Sequence, residues 1–133
     1  MEPRAKKIVV IEDSPSQALE IRLYLENCGL QVQMAANGTE GLEIIQQNRP
    51  DAIVLDVELP GISGLEVCRR LKTAPSTSQI PIIMLTAHDE PDVVIRGVER
   101  GAIDYIPKDP FSARVLLETL RQLGLIDQIP TEE

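Results

Sequence analysis

Residues 8–17 read I-V-V-I-E-D-S-P-S-Q. Four β-branched residues in a row fit a strand buried on both faces. The polar break that follows holds a complete helix start. Ser14 is the cap, Pro15 occupies the first helical position, and Gln17 stands three residues after the cap. Ala18, Ile21, Leu25 and Cys28 then recur at helical spacing until Gly29 stops the pattern. The stretch is one strand–loop–helix unit, with two acidic residues, Glu12 and Asp13, at its joint.

The cycle repeats along the chain. Residues 31–35 alternate weakly as a second strand, Asn37-Gly38 reads as a turn, and Gly41, Leu42 and Ile45 mark a short helix ending before Pro50. Residues 52–55 form a third strand, followed by a Gly/Pro loop and a helix capped at Ser63 with Glu66. Residues 82–85 give a fourth strand; Val94, Val98 and Gly101 share one face of a fourth helix, and residues 103–106 form a short fifth strand. Ala113, Leu116, Leu117, Leu120 and Leu123 carry the clearest helical stripe, in a fifth helix. Residues 1–124 thus read as one folded domain and residues 125–133 as a polar C-terminal tail. Five strands alternating with five helices imply βαβ crossovers and an α/β fold with helices on both faces of a parallel sheet.

Composition narrows the function. A chain of 133 residues suits one domain that folds without a metal or disulfide staple. The net charge of −8 argues against a nucleic-acid partner, and 2% aromatic residues with no Trp leave no stacking platform for single strands. Cys28 and Cys68 form no CxxC motif and lie in apolar helical patterns, as buried free thiols of a reducing compartment do. The apolar run after the charged N-terminus is too short for a signal peptide or a membrane span. The expectation is a cytoplasmic protein with no membrane partner, and Met1 favours an independent one.

In open parallel sheets ligands bind beyond the carboxyl ends of the strands. Those ends carry Glu12 and Asp13 after strand one, Asp56 after strand three, Thr86 and Ala87 after strand four, and Lys108 after strand five. Loops are polar, so a single acidic strand end would need no explanation. Three carboxylates with a matching hydroxyl and ammonium do. Two unit charges about 4 Å apart repel by roughly 1–4 kcal/mol at effective dielectrics of 80 to 20. Either a carboxylate is protonated or a cation offsets the charge. Lys108 supplies one unit, and an all-oxygen site with room for waters suits Mg²⁺ better than Zn²⁺. Asp56, directly after a central apolar strand, is placed as a nucleophile able to take a phosphoryl group as an acyl phosphate. Thr86 and Lys108 can meet phosphoryl oxygens.

These residues carry a resemblance. Glu12-Asp13, the stretch D-V-E-L-P-G-I-S-G over residues 56–64, Thr86-Ala87, Tyr105 and Lys108 resemble the receiver domains of bacterial two-component response regulators, over about residues 7–124. The resemblance, to single-domain chemotaxis-type members above all, implies a flavodoxin-like, doubly wound (βα)5 fold with strand order 2-1-3-4-5. It implies Asp56 as phosphoacceptor and Mg²⁺ held by Asp13, Asp56 and the backbone carbonyl of Glu58, with Glu12 acting through water. It further implies Thr86 and Tyr105 as a switch pair that changes partner contacts on the surface of the fourth helix, fifth strand and fifth helix. The implied phosphodonor is a histidine kinase or phosphotransfer protein. A downstream protein target follows, and a second copy of the chain is a candidate partner on phosphorylation. The chain departs from many receivers in having Asp109, not Pro, directly after Lys108. Glu58 and His88 occupy positions that vary among receivers.

Plainer readings stand beside these. His88 is the only histidine and reads as a solvated loop residue, and Gly61 and Gly64 as glycines that shape the loop. Tyr105, taken without the resemblance, reads as a packing residue. The enzyme alternative is an Mg²⁺-dependent phosphohydrolase with an Asp nucleophile, but such enzymes usually carry a second Asp where this chain has Glu58. The remaining alternative is a degenerate receiver acting as an adaptor without phosphorylation, against which the intact acidic set and Lys108 speak.

Overall fold

A computed structural model of the chain describes residues 5–86, 104–107, 112–127 and 129, with Thr86, 104–107 and Ser112 described by their backbone alone. Five parallel strands form a single sheet: β1 (Lys7–Ile11), β2 (Gln31–Ala35), β3 (Ala52–Asp56), β4 (Ile82–Thr86) and β5 (Asp104–Pro107), in the order β2-β1-β3-β4-β5. Helices α1 (Pro15–Asn27), α2 (Gly38–Asn48) and α3 (Gly64–Thr73) and a C-terminal helix, Ser112–Gln122, complete the described elements. The expected fourth helix, with Val94, Val98 and Gly101, and His88 lie outside the described residues.

The central strands are apolar on consecutive residues because both of their faces are covered. Ile8 and Val10 of β1, Ala52 and Val54 of β3, and Ile83 and Leu85 of β4 pack towards α1 and the C-terminal helix. Their neighbours Val9, Ile11, Ile53, Leu55, Ile82 and Met84 pack towards α2 and α3. No helix among the described residues is long and apolar enough to cross a membrane.

The helix starts follow the predicted chemistry. Ser14 caps α1 ahead of Pro15, and the Ser63 hydroxyl accepts from the Glu66 N–H at 3.2 Å to cap α3. Asn37-Gly38 is no free turn. Asn37 is the cap of α2, its Oδ1 accepting from the Glu40 N–H at 2.9 Å, and Gly38 is the first helical residue. Gly38 fits there because a Cβ would lie 2.6 Å from Val67 Cγ2 and 2.7 Å from Ile62 Cγ1.

Two helices end alike. Leu30 and Gly29 donate to Leu25 and Glu26 at the end of α1, as Leu125 and Gly124 donate to Leu120 and Arg121 after the C-terminal helix. The turn at Gly124 returns the chain to the core. Ile126 is buried, and Leu125 and Ile129 pack against the cluster that holds Leu25 and Leu120, although all three fall in the stretch read as a polar tail. Cys68 is buried as expected, while Cys28, at the end of α1, is only half-buried; both are free thiols.

Candidate functional site

Strand register assembles the site. Ile11 pairs with Leu55, so the next residues, Glu12 and Asp56, leave neighbouring strands side by side. The order β2-β1-β3 also makes this the switch point of the sheet, where successive connections diverge and leave a crevice. Backbone bonds hold both positions: Glu12 N–H donates to Ala35 O at 3.0 Å, and Val57 N–H donates to Leu85 O at 3.0 Å.

The carboxylates of Glu12, Asp13 and Asp56 converge, each offering an oxygen within 4.8 Å of the other two. Glu12 and Asp56 are each only 4% exposed, whereas Asp13 is open to solvent. Two carboxylates buried this deeply need compensation, and like charges at this separation raise the demand. Three hard oxygen donors with one open side fit Mg²⁺, which keeps several waters.

Two side chains are oriented by nearby peptides. Asp56 Oδ1 accepts from the Glu58 N–H at 3.0 Å, an Asx turn that fixes the rotation of the carboxylate. Glu12 Oε2 accepts from the Ser14 N–H at 3.3 Å. Both anchors run from a carboxylate to the N–H two residues on. Neither anchor is evident from the residues alone, although an Asp at the mouth of a turn is a signal for the one at Asp56. The Glu58 side chain itself is exposed.

The structure therefore brings Glu12, Asp13, Asp56 and the Glu58 backbone together. Thr86 ends β4, where it pairs with Pro107, and Tyr105 of β5 pairs with Met84. The side chains of Thr86 and Tyr105, and the whole of Lys108 with the Lys108-Asp109 junction, lie outside the described residues. An open groove is lined by Asn37, Thr39, Glu40 and Glu43, from the cap and first half of α2, and by Pro60 and Gly61 of the β3–α3 loop.

Comparison with known proteins agrees with this arrangement. The family model of the response regulator receiver domain matches residues 8–121. The transcriptional regulatory protein AfsQ1 of Streptomyces coelicolor is 45% identical over 114 residues, covering 86% of this chain and 49% of that protein. The chain spans about half the length of the curated relatives it matches. The signal receiver domain of a signal transduction histidine kinase from Syntrophus aciditrophicus has a TM-score of 0.83 at 38% identity, covering 97% of this chain and 96% of that one. The receiver domain of sensor histidine kinase PA1611 from Pseudomonas aeruginosa PAO1, solved with a magnesium ion coordinated in its active site cleft, has a TM-score of 0.81 at 28% identity. It covers 90% of this chain and 97% of that one. With a match running from β1 to the C-terminal helix and the acidic crevice in place, the chain belongs to the response regulator receiver domain family.

Proposed function

We propose that the chain is a cytoplasmic phosphorylation switch in which Asp56 accepts a phosphoryl group from a histidine kinase or phosphotransfer protein. The observation that carries the reading is the convergence of Glu12, Asp13 and Asp56 around an Asp56 carboxylate oriented by the Glu58 peptide. An Asp56 oxygen attacks phosphorus, the bond to the donor imidazole breaks, and the phosphoryl group remains as an acyl phosphate. Asp13, Asp56 and the Glu58 carbonyl would hold Mg²⁺, with Glu12 orienting a bound water. When bound, the ion offsets the carboxylate charge and the charge developing on the phosphoryl oxygens. Burial of Asp56 on the sheet edge limits the water that reaches the attacking oxygen.

In this reading Lys108 neutralises a further phosphoryl oxygen and the Thr86 hydroxyl donates to the phosphoryl group once it is attached. Tyr105 turns inward with it, and the surface of the fourth helix, β5 and the C-terminal helix changes its affinity for a downstream protein or a second copy. The energy of the shift comes from contacts made only in the phosphorylated state. The role is signalling; turnover of a substrate pool is not required.

The test is incubation of the protein and its Asp56→Asn variant with Mg²⁺ and acetyl phosphate, following intact mass and released phosphate. A transient adduct on the wild type that the variant lacks supports the switch. Turnover of many phosphoesters would favour a hydrolase, and no adduct in any condition would leave an adaptor.

A further inference from the structure

Helix α3 begins hard against the backbone of the phosphoacceptor. A Cβ at Gly64 would overlap the Asp56 carbonyl oxygen and would lie 2.8 Å from Val57 Cα and 3.0 Å from the Asp56 carbonyl carbon. All three obstacles are backbone atoms, which cannot rotate aside as a side chain can. The contrast with Gly61 is instructive: there φ is +77° and a Cβ would meet nothing, so that glycine serves a turn conformation. Gly64 has no positive φ. What it supplies is room.

The contact is locked from several sides. Gly64 N–H donates to Val57 O at 2.9 Å, closing the loop between β3 and α3. Val57 N–H is bound to Leu85 of β4, so the 56–57 peptide cannot retreat without breaking the sheet. The helix cannot easily withdraw either, because Ser63 caps it and Val67, Cys68 and Leu71 are buried beneath it. The Glu58 N–H that orients Asp56 Oδ1 lies one residue beyond this clamp.

We infer that Gly64 is a positioning residue for the phosphoacceptor: by lacking a side chain it lets α3 press on the Asp56–Val57 peptide and fix the direction of the Asp56 carboxylate and the Glu58 peptide. The inference rests on the role proposed for Asp56, but its structural half can be judged without phosphorylation.

Gly64→Ala is to be compared with Gly38→Ala, whose Cβ would press on the side chains of Val67 and Ile62. Both lose thermal stability. At a temperature where both are folded, Gly64→Ala should bind Mg²⁺ more weakly and form the acetyl phosphate adduct more slowly, each by about tenfold or more, since small misplacements of reacting groups are costly. Its Glu58 amide resonance should also move. Gly38→Ala should match the wild type in all three. Unchanged Mg²⁺ affinity and Glu58 resonance in Gly64→Ala overturn the inference, as do equal losses in Gly38→Ala, which would mark general destabilisation. Should Gly64→Ala not fold, the wild type decides. Its Gly64 amide resonance must shift on Mg²⁺ titration more than those of Gly38 and Gly61, and equal or smaller shifts overturn the inference. Failure of the wild type to form an adduct would sink the proposed function, while the Mg²⁺ and resonance comparison would still judge Gly64.

Discussion

The backbone N–H of Glu58 donates to Oδ1 of Asp56 at 3.0 Å, so the carboxylate is oriented by a peptide two residues further along the chain. Side-chain and backbone changes at Glu58 should therefore have different effects. Glu58→Ala keeps the donor and should form the phosphoryl adduct at close to the wild-type rate. Glu58→Pro has no N–H. Hydrogen bonds to charged groups are worth about 1.5–3 kcal/mol, so its adduct should form roughly ten- to a hundredfold more slowly. Timed intact-mass measurements with acetyl phosphate separate the two; equal rates would remove the peptide from the mechanism.

Crowding Glu12, Asp13 and Asp56 on one edge opposes folding whenever no cation is bound. Asp13, the exposed member, can be neutralised without leaving a buried polar gap. Asp13→Asn should raise the melting temperature in chelator by a few degrees, corresponding to roughly 1 kcal/mol of relieved repulsion. The same variant should lose most of the rise that Mg²⁺ gives the wild type. Scanning calorimetry with and without Mg²⁺ gives both numbers, and a variant that melts lower in chelator would contradict the repulsion.

Gly41, inside α2, sits against the Ile11 side chain, where a Cβ would overlap Cδ1 and lie 2.7 Å from Cγ1. In an open helix Gly→Ala gains about 1 kcal/mol. Here Gly41→Ala should instead lose about 1–3 kcal/mol through overpacking. Ile11→Val removes the crowded methyl, so the double variant should recover much of that loss. Urea titrations of the four proteins close the cycle, and simple additivity would show that the crowding is relieved elsewhere.

Glu66 accepts from Arg69 first and Arg70 second, which holds its carboxyl down to about 2 from an ordinary 4.5. The fold favours the charged form, so any stability the group adds is complete above pH 4.5 and is lost as the pH falls towards 2. The site is exposed, so the effect is small. Glu66→Gln should melt slightly below the wild type at neutral pH and together with it at pH 2. A gap that persists in acid would assign the effect to something other than charge.

Much of this architecture was legible in the residues. The β-branched run of β1, the cap and Pro15 of α1, and the Ser63 cap of α3 are local signals, and each specifies its element with little help from the rest of the fold. The acidic strand ends were legible because a parallel sheet sends every strand end to one edge. Less visible were relationships set by packing. Asn37-Gly38 reads as a turn until Val67 and Ile62 show why a helix starts there without a side chain. Gly64 looks like any loop glycine, since its neighbour in space is a peptide eight positions earlier. Leu125, Ile126 and Ile129 are too few and too irregular to show a period, so their burial could not be read from spacing.

That last packing has a mechanical meaning. The core does not stop where the C-terminal helix stops: Ile126 is buried, Ile129 packs beside it, and Leu125 N–H is bonded back to Leu120 O. A pull applied beyond residue 129 is thus borne first by those apolar contacts and by the bonds from Leu125 and Gly124 back to Leu120 and Arg121, with the helix in their shelter. Load entering from the C-terminal side reaches the cluster shared with α1, on the opposite face of the sheet from α2 and α3, before it can unwind a turn.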